Sequence, residues 1–297
     1  MKYDRGSIAI IGLGKVGTAV GFLLNASGYD VIAVSDTSAE ALARGVKYTK
    51  GTACSDPSHA AALAETIIIT THDDAIKPAC DRLATDNAIT PGMQVVHMSG
   101  AGGLDLLESA RERGAATASI HPIQAFADVT SAIENIPGST FGITAQDEMR
   151  SWAVQFVRDL DGTPFFVSEA DKPLYHAAAC IASNYLVTLM NIVVTVYQAL
   201  GLSPDEATNA FWPLVKGTVK NMEDHGPVTA LTGPIARGDV GTIGKHIRAF
   251  ETSLPEILDI YCQLGIFTVD VGLQKQSLAK EKAEQIKLLL LGGHLDE

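Results

Sequence analysis

Positive charge is in short supply in this sequence. Twenty-two Lys and Arg stand against 34 Asp and Glu in 297 residues, a formal net charge of −12. Nucleic acids need clustered cations to neutralise their phosphates, and anionic membrane surfaces attract basic segments, so neither is an expected partner. Cysteine is sparse too. Cys54, Cys80, Cys180 and Cys262 are scattered without a C-x-x-C pair, which fits a reducing, cytoplasmic setting and offers no redox or metal motif. No internal repeat or low-complexity tract is present, and the opening residues run almost at once into a strand pattern, so no signal peptide is expected. With 46% hydrophobic and 19% charged residues, the composition is globular, with length enough for one large domain or two ordinary ones.

One stretch has no charge of either sign: "PLYHAAACIASNYLVTLMNIVVTVYQALGLS", Pro173 to Ser203. About 20 apolar residues suffice to cross a bilayer, so length alone permits a span. The polar residues point elsewhere. Asn184, Thr188, Asn191, Thr195 and Gln198 recur at spacings of 4, 3, 4 and 3, one narrow helical face, and His176 and Cys180 continue near it. A lone segment of this kind, following a soluble nucleotide-fold pattern, is expected to be a buried central helix rather than a span. Pro173 marks its first turn, Gly201 its end, and Ser203–Pro204 the start of the next helix.

What the N-terminal half does have is alternation of strand and helix patterns. In "SIAIIGLGKVGTAVGFLLNASGYDVIAVSD", an apolar run (Ser7 to Ile11) leads into Gly12-x-Gly14-x-x-Gly17, then a helix pattern, then a second run from Val31 to Val34. G-x-G-x-x-G carries little weight alone, but between strand and helix in a βαβ-sized unit it reads as a dinucleotide fingerprint. Gly12 permits the tight turn, Gly14 lets a pyrophosphate reach the backbone, and Gly17 allows close helix–strand packing. The loop Gly12, Leu13, Gly14, Lys15, Val16 and Gly17 would then hold the phosphates at a helix N-terminus. Asp36 lies 19 residues beyond Gly17, near the spacing of the carboxylate that binds ribose hydroxyls in NAD sites. If the strand ends one residue earlier, Ser35 takes that place. The reading is NAD(P), leaning to NAD because Asp36 would repel a 2′-phosphate.

"TIIITTHDD", "MQVVHMSGAGG" and "AATASIHPIQAF" pass from apolar run to polar loop, as strands of a doubly wound sheet do where they meet a ligand. Thr71, His72 and His121 fall at such ends. His97 is still inside its strand and reads as structural. Three histidines suggest a metal, yet no ligand spacing accompanies them, and none is expected. Two closing strands follow, and beyond "FFVSEADKP" the pattern is helical throughout. The fold class is therefore α/β, a Rossmann-type parallel sheet domain (1–167) followed by an all-helical domain (168–297). In that second part Gly233-Pro234 and Gly238-Asp239 bracket Arg237, which either reaches a carboxylate from an irregular loop or belongs to a plain helix connection capped by Asp239.

The order "GLGKVG", "HMSGAGG", "SIHPIQAFAD", "YHAAACIASNY", "LTGPIARGD" resembles a family of Rossmann-type oxidoreductases with a helical C-terminal domain of unknown function. More distantly it is similar to ketopantoate reductase, pyrroline-5-carboxylate reductase and the 6-phosphogluconate dehydrogenase group. The resemblance covers nearly the whole chain. It implies a dinucleotide in the first domain, a small-molecule substrate at the junction, and a homodimer. In ketopantoate reductase a lysine on the first long helix donates a proton, with an asparagine two turns later. His176 and Asn184 have that spacing, with His176 in the lysine's place and Lys172 one turn earlier. The expected activity is hydride transfer to or from a small 2-oxo or 2-hydroxy acid, with an imino-acid reductase or a dinucleotide sensor as alternatives. Ser99 and Arg237 would orient substrate, Asn184 would bind its oxygen, and His176 would act as acid or base, with His121 competing for that role.

Overall fold

The computed structural model describes residues 5–293. Its first compact unit, up to Asn184, is built on an eight-stranded sheet, and its second, from Tyr185 on, is helical. The strands are β1 (Ser7–Ile11), β2 (Asp30–Ser35), β3 (Thr52–Ala53), β4 (Thr66–Ile69), β5 (Gln94–His97), β6 (Ala116–Pro122), β7 (Thr140–Ala145) and β8 (Thr163–Phe166). Between them run helices α1 (Lys15–Ala26), α2 (Ala39–Thr49), α3 (Pro57–Ala61), α4 (Asp73–Thr85), α5 (Glu108–Glu112), α6 (Val129–Asn135) and α7 (Arg150–Asp159). Strand order is β3-β2-β1-β4-β5-β6-β7-β8. Pairing is parallel except between β6 and β7. The order reverses between β1 and β4, which makes that edge the switch point where a ligand crevice opens in such sheets.

The near-continuous apolar runs of the strands follow from burial on both faces. Ile8 and Ile10 pack with Val20 and Leu24 of α1 and Phe156 of α7 on one side. Ala9 and Ile11 pack with Ile76, Cys80 and Leu83 of α4 on the other. Each fully buried isoleucine contributes about 1.5–3 kcal/mol, so a polar substitution in β1 or β4 would remove a large share of a marginal stability.

After β8, α8 (Lys172–Cys180) passes into a π-helical turn (Ile181–Tyr185) and then α9 (Leu186–Ala199). The first unit thus extends past the Val167 boundary that the change of pattern suggests, because α8 carries Lys172 and Tyr175 into contact with the carboxyl ends of β5 and β6. The second unit continues with α10 (Pro204–His225), α11 (Pro227–Ala230), α12 (Pro234–Arg237), α13 (Val240–Ser253), α14 (Pro255–Gln274) and α15 (Lys280–Leu290). Its core is a smaller cluster around Ile243, Val269 and Ile286. Ser203 and Glu206 form the capping box that opens α10 just before Pro204.

The charge-free helix differs from its expectation. It is not a buried central helix: the 28 residues Lys172–Ala199 are long and apolar enough to cross a membrane, and none of the most apolar window is buried within the chain. Leu174, Ile181 and Val187 are among its exposed side chains. Periodicity shows which residues share a face, but it cannot show that something in the same chain covers them. The π-turn also adds a residue to one turn, so the face carrying His176 and Cys180 does not run on in simple phase into the stripe from Asn184 to Gln198.

Candidate functional site

Two of the three glycines in the first loop are demanded by the fold itself. Gly12 has φ +102°, and a Cβ there would stand 2.8 Å from the Thr70 and Thr71 backbone. At Gly17 a Cβ would collide with the Gly12 carbonyl and Thr70 Oγ1. Gly14 is different. A Cβ on it would meet nothing within 4 Å. It is the N-cap of α1, without a side-chain cap and with no acidic residue in the first turn, so the first helical N–H groups face outward at the positive end of the dipole. The fold itself therefore does not require glycine at position 14, and the open helix N-terminus beside it is the kind of place an anion can reach.

Around this loop the structure separates the predicted residues. Lys15 is exposed, with Nζ 3.2 Å from the Phe126 carbonyl, and Val16 packs against the core. The Leu13 side chain is fully buried, and its N–H donates to Asp36 Oδ2 at 2.6 Å, so Leu13 shapes the loop rather than lining it. Asp36 also accepts from the Ser38 N–H at 2.7 Å. Ser35 is buried, and its carbonyl accepts from the Gly12 N–H. Of the two positions that the sequence leaves open, Asp36 meets the loop with its side chain and Ser35 with its backbone carbonyl. Thr70, which the sequence did not single out, fixes the turn by donating from Oγ1 to the Gly12 carbonyl at 2.6 Å. Thr71 and exposed His72 follow β4, with His72 immediately ahead of α4.

A second cluster stands at the carboxyl ends of β5 and β6, two to three strands from the glycine loop, or roughly 10–14 Å at the usual strand spacing. His97 is fully buried. Its Nδ1 accepts from the Ser99 N–H at 3.1 Å, so Nε2 carries the proton and donates to the Gly103 carbonyl at 2.9 Å. Burial pushes its pKa down to about 4, and it stays neutral. Ser99 Oγ in turn accepts from the Gly102 N–H. The structural reading of His97 holds: it ties together the loop after β5.

Lys172 enters from α8 and is only 2% exposed. Its Nζ donates to Ser119 Oγ at 2.8 Å and lies 3.4 Å from the Ser99 carbonyl. Desolvation lowers its pKa to about 8, with the carboxylates of Glu169 and Asp73 acting the other way. One turn on, Tyr175 Oη is 2.7 Å from His121 Nδ1. His121 is pushed down to about 4, by burial first and then by its neighbours His176 and Lys172. His121 and His176 meet edge to face, 6.0 Å between centroids. Both crowd Gly100, where a Cβ would stand 2.5 Å from His176 Cδ2 and 2.9 Å from His121 Nε2. Gly100 lies at ordinary negative φ, so its glycine is explained by two imidazoles rather than by a turn.

The structure therefore brings Ser99, His121 and His176 together. Asn184 lies exposed in the π-turn of the same unit. Arg237 is the exposed last residue of α12 in the second unit, followed by left-handed Gly238 and by Asp239, which caps α13. Ser119 and Tyr175 were not singled out in the sequence, and Lys172 entered only as the basic residue one turn ahead of His176, the position that the resemblance to ketopantoate reductase brought into view. Tyr175 and Ser119 carried no signal, since their meaning depends on a strand and a helix far apart in sequence.

Comparison with known proteins agrees with this architecture. Residues 1–122 match a Rossmann-like domain, and residues 139–268 match a domain of unknown function, DUF2520. No curated protein matches the chain in sequence. Among solved structures, a protein from Thermotoga maritima is 22% identical with a TM-score of 0.72, over 91% of this chain and 99% of that one. An imine reductase from Pseudomonas is 17% identical with a TM-score of 0.57, over 97% and 93%. A pyrroline carboxylate reductase from Plasmodium falciparum, solved with NADP bound, is 14% identical with a TM-score of 0.57, over 96% and 98%. At these identities the likeness is one of fold. The chain thus joins a Rossmann-like domain to a DUF2520 domain, the family organisation that its motifs resemble.

Proposed function

We propose that the protein is an NAD(P)-dependent oxidoreductase acting on a carbonyl or hydroxyl group of a small polar substrate. The observation that carries this reading is the pairing, on one sheet edge, of an open anion-receptive loop at Gly14 with a proton-handling cluster over Gly100. What supports a dinucleotide is that the N-terminus of α1 lacks a side-chain cap, as a pyrophosphate site requires, and that Asp36 borders the same loop, as a ribose-binding carboxylate would. When bound, that group supplies or accepts hydride. NAD is favoured over NADP because the Asp36 carboxylate would oppose a 2′-phosphate, although the Plasmodium reductase of similar fold holds NADP.

Reducing a carbonyl requires a proton at oxygen as well as hydride at carbon, whereas an iminium needs only the hydride. A buried lysine with pKa near 8 beside two histidines suits the first task, which supports a 2-oxo or 2-hydroxy acid over an imino acid. Lys172 would hold the proton, and His121 and His176 would line the approach to it. A sensor without turnover would not need that lysine. The apolar exposure of α8 and α9 supports a second copy of the chain as their cover, in a homodimer. A strictly monomeric sedimentation profile would count against that cover.

The test is NADH oxidation across a panel of 2-oxo acids, at pH 6 to 10, in wild type and Lys172→Met. Reduction should fall as pH rises through about 8, where Lys172 loses its proton, and the variant should lose roughly a hundred-fold or more in kcat together with that limb. An unchanged profile in the variant would remove Lys172 from the mechanism.

A further inference from the structure

We infer that Tyr175 is a positioning residue that fixes His121 as a neutral imidazole, protonated on Nε2, so that Nε2–H is presented above Gly100 as a hydrogen-bond donor to substrate oxygen. Its activity arm rests on the oxidoreductase reading; the assignment of the proton does not.

The geometry begins at Gly142. A Cβ there would stand 2.5 Å from Tyr175 Oη, so the absence of a side chain on β7 is what lets the phenol settle against the sheet. Phe165 packs edge-on to the Tyr175 ring at 5.7 Å, and the His121 ring does so at 5.6 Å. The half-buried phenol keeps its proton, desolvation pushing its pKa up to about 12, and its oxygen also faces the Gly142 backbone as an acceptor. That proton needs an acceptor, and His121 Nδ1 is 2.7 Å away. An imidazole that accepts at Nδ1 and is neutral must carry its hydrogen on Nε2. Nε2 lies at the surface of Gly100, on the side shared with His176.

The groups acting on His121 all oppose a second proton except one. His176 and Lys172 from α8 and His97 from β5 lower its pKa, and Asp73 from α4 raises it. Hydrogen bonding from Tyr175 to the Nδ1 lone pair stabilises the neutral form further. A neutral donor of this kind stabilises negative charge developing on oxygen without surrendering its own proton, which leaves Lys172 as the proton source.

The experiment is a histidine-selective ¹⁵N–¹H correlation on the full-length protein, with His121 assigned through His121→Gln. Wild type should show His121 as a single Nε2–H tautomer that does not titrate between pH 5.5 and 9. Tyr175→Phe should let the tautomers mix and move the titration toward the ordinary histidine range. On the oxidoreductase reading it should also lower kcat about ten-fold, with KM changed far less. A His121 protonated on Nδ1, or doubly protonated at pH 7, would overturn the inference from the wild-type spectrum alone, whether or not Tyr175→Phe folds. A folded Tyr175→Phe with an unchanged His121 pattern would overturn it as well. An intact tautomer effect without any turnover would instead count against the oxidoreductase reading.

Discussion

The loops after β1 and after β5 both depend on glycine, for opposite reasons. In the first, Gly12 is set by the Thr70–Thr71 peptide, and Gly17 by the Gly12 carbonyl and the Thr70 side chain. In the second, Gly100 makes room for side chains from β6 and α8, His121 and His176. The glycines of the first loop answer to one turn and keep a G-x-G-x-x-G spacing that can be read in sequence. Gly100 answers to side chains from two other elements and leaves no such trace.

The largest effect should come from the one glycine in the first loop that the fold does not require. Gly14→Asp adds a side chain into open space, so the fold should persist while a negative group meets the dinucleotide phosphates. Dinucleotide affinity should fall by more than a hundred-fold, read by calorimetric titration, with the thermal midpoint nearly unchanged. Gly17→Ala sharpens the contrast: its Cβ strikes backbone, so it should lose stability before it loses binding.

Gly100→Ala should have an intermediate effect. Displacing two imidazole edges costs about 1–3 kcal/mol of stability, and kcat should drop roughly ten-fold while dinucleotide affinity holds. Equal losses in binding and turnover would show that the two loops are not the separate devices described above.

Asp36→Ser should do least. It removes two hydrogen-bond acceptors from the loop, at about 1–2 kcal/mol, and should weaken NAD several-fold while relieving exclusion of NADP. Wild-type protein that already binds NADP more tightly than NAD would contradict the assignment of Asp36 to the ribose.

Much of the first unit was legible because parallel strands buried on both faces must be apolar runs, and because the turn at Gly12 needs glycine wherever that fold occurs. β1, β2 and the ends of β4 to β6 followed from those constraints. The long helix was not legible in full. Its boundaries and the cap at Ser203 were local matters, whereas periodicity could not show that the chain leaves its apolar window unburied, and its π-turn breaks the 3.6-residue period on which the reading rested. Lys172 and Tyr175 sit on that helix among residues chosen for other reasons. Nothing in their own neighbourhood indicates that Ser119 and His121 await them 53 and 54 residues upstream.

The most direct test follows the histidines while dinucleotide is added. NADH titrated into ¹⁵N-histidine-labelled protein should shift His121 and His176, whereas ADP, which can fill only the end of the site near Asp36 and Gly14, should leave both in place. Saturation with NADH without a change at either histidine would contradict the claim that the two loops form one site.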